Sequence, residues 1–308
     1  MVPLKQSRAA GFALIAAVYV VATALAVALF AALAAWPVFG RVLVADLGAT
    51  LAVYLVGLAL GNLSVYDPYW SVAPPVIVVG LIAYDRSLTV GTILLALAIT
   101  IWGVRLTANW AYTFTNLSTQ DWRYDKLRSG NPRLWPLIAL VGVTLFPTLV
   151  VYLCLLPAIT YLAAPATTVV TVTGVVLCLA ATTLQLVADT QLHRFRRQYA
   201  GEHRLIRAGL WHHSRHPNYL GEILMWWGVF VIMASATPRH WWMYAAGALV
   251  NTLMFWFVSI PLADGRNRTL RPGYDAYLRD TNALWPFWHR VRTPARDPET
   301  PAKTQQSF

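Results

Sequence analysis

Charge is scarce and one-sided in this chain. Only 12% of its 308 residues are Asp, Glu, Lys or Arg, and the 13 acids are outnumbered by 24 Lys and Arg. A chain that is 57% hydrophobic, with mean hydropathy +0.52 and 14 Trp, is not built as a water-soluble domain. Cysteine is nearly absent. Cys154 and Cys178 lie inside apolar runs with neither metal-site nor disulfide spacing, so they read as small core residues. No G-x-G-x-x-G or P-loop stretch occurs, which excludes a soluble nucleotide domain and leaves any cofactor to the helices and their loops. The net charge of +11 does not indicate nucleic acid, because the basic residues lie between and after apolar runs rather than on a soluble domain. No internal repeat stands out.

Long apolar runs are what the chain has. About 20 apolar residues cross a bilayer, and candidate spans are 11–35, 42–63, 72–84, 88–109, 136–157, 167–190, 219–236 and 241–262. The first follows Lys5 and Arg8 and is too long for a cleaved signal, so it reads as a retained span. The third is short and follows Pro74-Pro75, which predicts a half-helix or a merger with its neighbour. The fold class is an all-α polytopic membrane helix bundle of seven or eight helices.

Basic residues alternate along these spans. Segment 110–135 holds Arg123, Lys126, Arg128 and Arg133, and segment 191–218 holds Arg194, Arg196, Arg197, Arg204, Arg207 and Arg215. The tail after 263 adds eight more, whereas the connections 158–166 and 237–240 contain only Arg239. With eight spans, the positive-inside rule puts the basic loops and both termini in the cytoplasm. The tail beyond Arg292, rich in Pro, Thr and Gln, is expected to be disordered.

Polar pairs four residues apart sit where the spans meet the cytoplasm: Arg105 and Asn109, Gln185 and Asp189, Asn218 and Glu222, Asp264 and Arg268. Residues at i and i+4 share a helix face. Singly, each pair has a plain explanation, an Arg snorkelling to headgroups or an Asp pairing with a nearby Arg. Four pairs at one depth, of both signs, predict a shared polar cavity.

The stretch "GLWHHSRHPNYLGE", 209–222, opens the seventh span. Pro217 suits a first helical position, and His216 before it is pushed out of the helical region. The helix start then presents N–H groups and a positive dipole end to an anion. Arg196, Arg204 and Arg215 add phosphate contacts, and Trp211 and Tyr219 offer rings for stacking. These features fit a large phosphate-bearing cofactor; the alternative is a basic loop touching anionic lipid.

"RHPNYLGE" with the Trp-rich helix after it, "LVADTQLHRFRR", "TQDWRYDKLR" and "RPGYDAYLRDTNALWPFW" together resemble the steroid 5-alpha-reductase superfamily. The closest branch is its bacterial members of uncertain substrate, the DUF1295 group, and the resemblance covers roughly 60–290. It implies N-terminal helices over 1–62, a reductase-like core over 63–292 and a cytoplasmic tail over 293–308, in a bacterial inner membrane with the cofactor site facing the cytoplasm. It further implies NADPH-dependent reduction of a carbon–carbon double bond conjugated to a carbonyl, in a steroid- or isoprenoid-like substrate drawn from the bilayer. Gln185 and Asp189 match a cofactor-holding pair, Arg196 and Arg204 match phosphate-binding arginines, and Asn218, Tyr219 and Glu222 match the nicotinamide side. Arg123 falls in a loop with further cofactor contacts. "VYDPYWSVAP" places Tyr66 and Asp67 where the family has its catalytic Gln-Glu. The plainer alternative there is a helix start, with Asp67 as N-cap and Pro68 first. One departure stands out: Trp102 occupies the nearest match to a Tyr that polarises the carbonyl in steroid enzymes, and an indole cannot act as an acid.

Three rivals remain. Isoprenylcysteine carboxyl and phospholipid N-methyltransferases share an "RHP-x-Y-x-G" turn serving S-adenosylmethionine, although "ADTQLHRFRR" and "YDPYWS" favour the reductase branch. A di-iron hydroxylase would use the HHxxH spacing of "HHSRH", but its histidine boxes need about eight ligands and the chain has seven His, several of them scattered. A transporter would spread polar residues across the bilayer instead of crowding them near one face.

Overall fold

The computed structural model describes residues 5–236 and 241–285. All regular structure among them is helical. In order these are α1 (Arg8–Ala32), α2 (Val38–Leu60), α3 (Tyr69–Asp85, led in by a 3₁₀ turn at Leu63–Val65), α4 (Val90–Thr113), α5 (Trp122–Gly130) and α6 (Trp135–Ala163). They continue with α7 (Val169–Gln198), α8 (Leu210–His213), α9 (Pro217–Ala234), α10 (Trp241–Leu270) and α11 (Tyr274–Asp280). Seven helices, α1 to α4, α6, α7 and α10, are long and apolar enough to cross a membrane. Helix α9, at 18 residues, is about 27 Å long and runs among them. The chain is an integral membrane helix bundle. Arg239 and the tail 293–308 lie outside the described residues.

The third span is neither the half-helix nor the merged helix that its sequence predicts. Leu63–Asp85 is a full span with Pro74 and Pro75 inside α3. Pro75 cannot bond back to Ser71, and the carbonyl so freed faces α4 at Gly103, where an added Cβ would stand 2.5 Å from the Ser71 oxygen. The neighbouring helix thus covers the gap that the prolines open. Helices α4 and α7 also run past their apolar stretches, to Thr113 and Gln198. Each begins in a Thr–Thr capping box, Thr89 with Thr92 and Thr168 with Thr171. In α7 the continuation holds good helix formers, and Arg196 and Arg197 oppose the negative end of the dipole.

Helix α9 is the centre of the bundle. It packs chiefly on α7 and also touches α4, α6 and α10. Small residues permit the approach: a Cβ on Gly228 would meet Cys178 Sγ at 2.5 Å, and one on Gly221 would meet the Ala181 carbonyl at 2.7 Å. Met225, Trp226, Val229, Ile232 and Met233 are almost wholly buried around that contact.

Both basic loops lie at one end of the bundle. Lys5 Nζ donates to the Leu60 carbonyl at 2.6 Å, Leu117 N to the Lys5 carbonyl at 3.0 Å, and Asn62 Nδ2 to the Leu117 carbonyl at 2.8 Å. At the other end Arg41 Nε donates to the Phe30 carbonyl at 2.9 Å, and the Thr171 and Ser235 hydroxyls meet at 2.8 Å.

Candidate functional site

A polar cavity of about 460 Å³ opens at the basic end between α5, α6, α7, α9 and α10. Five arginines line it: Arg123, Arg196, Arg215, Arg266 and Arg271. The one carboxylate on its wall among the described residues, Asp121, is taken by Arg123, which donates through Nε and Nη2 at 2.9 Å each. Burial pushes the Asp121 carboxyl up, but the Arg123 guanidinium overrides this and holds it below the usual carboxylate range. Burial, helped by the charge of Arg266, pulls the Arg271 guanidinium below its ordinary value, a cost that an anion between them would relieve. Across the mouth the Arg266 guanidinium lies 4.3 Å from the centre of the Trp122 ring. Two π-helical turns, Ala139–Leu145 in α6 and Phe255–Ser259 in α10, border the cavity with Gly142, Val258 and Ser259. Such turns gather at functional sites because they widen a helix locally.

Beneath the cavity, α4, α7 and α9 meet in a polar ladder. Arg105 Nη1 donates to Gln185 Oε1 at 2.6 Å, and its Nη2 pairs with Asp189 Oδ2. Asn109 and His193, each one turn further along, bond at 2.7 Å. Asn218 Nδ2, on the cavity wall, donates to Asp189 Oδ1 at 3.1 Å. Glu222 lies one turn deeper and accepts from Trp102 Nε1 and Trp226 Nε1, both at 2.9 Å. Three of the four i, i+4 pairs therefore converge. Trp102 has a positioning contact, the indole bond that holds Glu222 against α4.

The HPN turn is clamped from the C-terminal side. Helix α9 starts at Pro217 with His216 outside the helical region, as its sequence predicts. Asp264 accepts from Arg215 Nη2 at 3.1 Å and Tyr274 Oη at 2.5 Å, and bonds His216 Nε2 at 2.8 Å. The backbone N–H groups of Arg215 and His216 donate to the Asn282 and Ala283 carbonyls, and Tyr277 Oη donates to the Trp211 carbonyl. Trp211 Nε1 in turn ties the loop to the Ala188 carbonyl of α7 at 3.0 Å, so this ring anchors the loop as well as lining the cavity. The Tyr219 ring stacks on His216 with centroids 5.1 Å apart. Arg215 lines the cavity, but its Nη1 and Nη2 are taken by the Leu278 and Thr281 carbonyls and by Asp264, and its Nε is buried without a partner.

Two expected residues stand elsewhere. Arg204 is exposed, pairs with Glu202 at 2.5 Å and covers the Tyr199 ring, away from the cavity lining. Arg268 is exposed and pairs with Asp275 at 2.8 Å. Arg266 and Arg271 also line the cavity, although in the sequence they stand out only as topogenic charges. Their spacing from Asp264 was the available signal, because the same stretch that supplies Asp264 supplies them.

Tyr66 and Asp67 sit behind the cavity wall. Asp67 Oδ1 accepts from Tyr124 Oη at 2.6 Å, and α3 starts beyond Pro68 with no side-chain cap. The carboxylate is thus not spent on capping the helix. The Tyr66 hydroxyl meets Thr148 Oγ1 at 2.8 Å, directly after Phe146 and Pro147, which line the cavity.

These features define a polytopic membrane protein with an arginine-lined cavity at one end of its bundle. A family model described as protein of unknown function, DUF1295, matches residues 53–281, and the chain belongs to that family. The matched region runs from within α2 through α11 and takes in the ladder and, of the clamp, Asp264, Tyr274 and Tyr277. No curated protein and no solved structure matches the chain.

Proposed function

We propose that the protein is a membrane-embedded NADPH-dependent reductase of the steroid 5-alpha-reductase superfamily, acting on an enone-type double bond in a lipophilic substrate. The observation that carries this reading is the set of five arginines around one cavity. NADPH brings a pyrophosphate and a 2′-phosphate, and guanidinium groups match phosphate oxygens in pairs. S-adenosylmethionine carries no phosphate and a positive sulfonium, which Arg196, Arg266 and Arg271 would oppose once Arg123 and Arg215 are paired with Asp121 and Asp264, so the methyltransferase reading is the weaker one. Asp189, through Asn218, supplies a polar floor for the uncharged part of the cofactor.

When bound, NADPH supplies hydride to the β-carbon of the enone. Negative charge then builds on the substrate carbonyl oxygen, where a fixed donor in a dry site stabilises it most. Tyr66 is the candidate donor, since its hydroxyl meets Thr148 beside the cavity-lining Phe146 and Pro147, and Asp67, which accepts from Tyr124, is the alternative. The cytoplasm holds NADPH, so the cavity end faces inward in a bacterial plasma membrane, in keeping with the basic loops there.

The test is isotopic. Membranes containing the protein are incubated with NADPH deuterated on the transferred face, and the lipid extract is read by mass spectrometry. Deuterium should enter a lipid product and fall at least about tenfold with Tyr66→Phe. Deuterium transfer that survives both Tyr66→Phe and Asp67→Asn would move the donor elsewhere, and no transfer at all would remove the reductase reading.

A further inference from the structure

A second cavity, of about 220 Å³, lies between α1, α2 and α3, and no residue lines both it and the basic cavity. Its walls are apolar and aromatic, including Tyr19, Phe30, Ala73 and Tyr84. Among the described residues Asp46 is its one acidic lining residue, and neither Lys nor Arg lines it. Asp46 is only 5% exposed and sits about 12 Å along α2, well inside the span. A carboxyl at that depth is costly and is retained where something uses it. Tyr69 Oη donates to Asp46 Oδ1 at 2.8 Å, which leaves most of the hydrogen-bonding capacity of the carboxyl open. From Tyr69 polar groups continue inward: its ring stacks on Tyr66 at 5.6 Å, Tyr66 meets Thr148, and Thr148 meets Thr50 at 3.0 Å.

We propose that this cavity binds an uncharged, lipid-soluble alcohol, with its hydroxyl at the Asp46–Tyr69 pair and its apolar body between α1 and α3. An acid or phosphate headgroup is disfavoured, because Asp46 repels it and the nearest cation, Arg41 behind Phe30 and Tyr84, is already bonded to the Phe30 carbonyl and the Tyr84 hydroxyl. A charged amine would have to leave water to pair with Asp46, and the desolvation of both ions offsets the attraction. A hydroxyl meets the carboxyl at far lower cost. The space suits such a body: an apolar cavity of roughly 150 Å³ already accepts a benzene-sized guest, and this one is larger. The inference concerns binding alone and does not rest on the reductase reading.

Photolabelling of the full chain in detergent tests it. The probes are hexadecanol bearing a diazirine in its chain, and the matching alkane, carboxylic acid and amine. Labelled peptides are mapped by mass spectrometry. The alcohol should label the walls within α1 and α3 about tenfold more than the alkane, the worth of one buried hydrogen bond. Asp46→Leu should level the two. A Cβ at Gly80 meets nothing within 4 Å, so the ring of Gly80→Phe should grow into the cavity with the backbone undisturbed and abolish labelling by both probes. Equal labelling of the native chain by alcohol and alkane, or stronger labelling by the acid or the amine, overturns the proposal. So does an alcohol preference that survives Asp46→Leu or labelling that survives Gly80→Phe. The native comparison and Gly80→Phe decide the matter even if Asp46→Leu does not fold.

Discussion

Asp264 gathers three partners, Arg215, His216 and Tyr274, at the joint between α9, α10 and the C-terminal clamp. Its side chain is 13% exposed and that of Arg215 11%. Removing one side of so enclosed a pair leaves a charge with little water to compensate it. Asp264→Ala is therefore expected to destabilise the protein by about 3–5 kcal/mol, read as a lower melting temperature in detergent. An unchanged melting temperature would show that the clamp is not structural. Asp189 forms an equally enclosed pair with Arg105, so its loss should lower the melting temperature too, and it also joins the ladder to the cavity through Asn218. Asp189→Ala should weaken NADPH binding by about 1–3 kcal/mol, the cost of an unpaired buried polar group. Arg204→Ala serves as the contrast. Its guanidinium is exposed and bound to Glu202, so cofactor affinity should not change, and a loss as large as that of Asp189→Ala would restore Arg204 to the site.

Among the elements, the α7–α9 contact sets the register of the ladder. Gly228 meets Cys178 and Gly221 meets Gln185 closely enough that a side chain at either must push the helices apart. Gly228→Leu should lower the melting temperature sharply and reduce cofactor binding with it, whereas Gly142→Ala, with open space around its Cβ, should leave stability unchanged. Equal stability of both variants would contradict the packing described. The helices themselves were readable from apolar run length, and the start of α9 from Pro217 and its preceding His216. Helix α3 was not, because Pro74-Pro75 breaks a helix locally while the cover by Gly103 of α4 is a tertiary fact. The i, i+4 spacing correctly gave one direction per helix for Arg105, Asp189 and Asn218. It could not say what lay opposite: Arg268 turned to Asp275 on the surface, and Arg204, in a loop, paired two residues back. The Asp67 bond to Tyr124 was equally hidden, since the partners lie 57 residues apart.

For the whole molecule, the five arginines at one end unite topology with chemistry. If that end faces the cytoplasm, a cysteine placed at Lys126 or Arg207 should resist a membrane-impermeant maleimide on intact cells and react once they are opened. Background should be low, as Cys154 and Cys178 are buried. Efficient labelling of intact cells at either position would reverse the orientation. The central claim is that the cavity takes a phosphate-rich dinucleotide, and equilibrium binding tests it most directly. Trp211 on the cavity wall offers an intrinsic fluorescence signal. NADPH and S-adenosylmethionine are titrated into the purified protein at low and high salt. The account predicts saturable NADPH binding that weakens with salt and falls by about tenfold or more in each of Arg196→Ala and Arg271→Ala, the scale of a charge-assisted hydrogen bond. Saturable S-adenosylmethionine binding without any NADPH binding would contradict it.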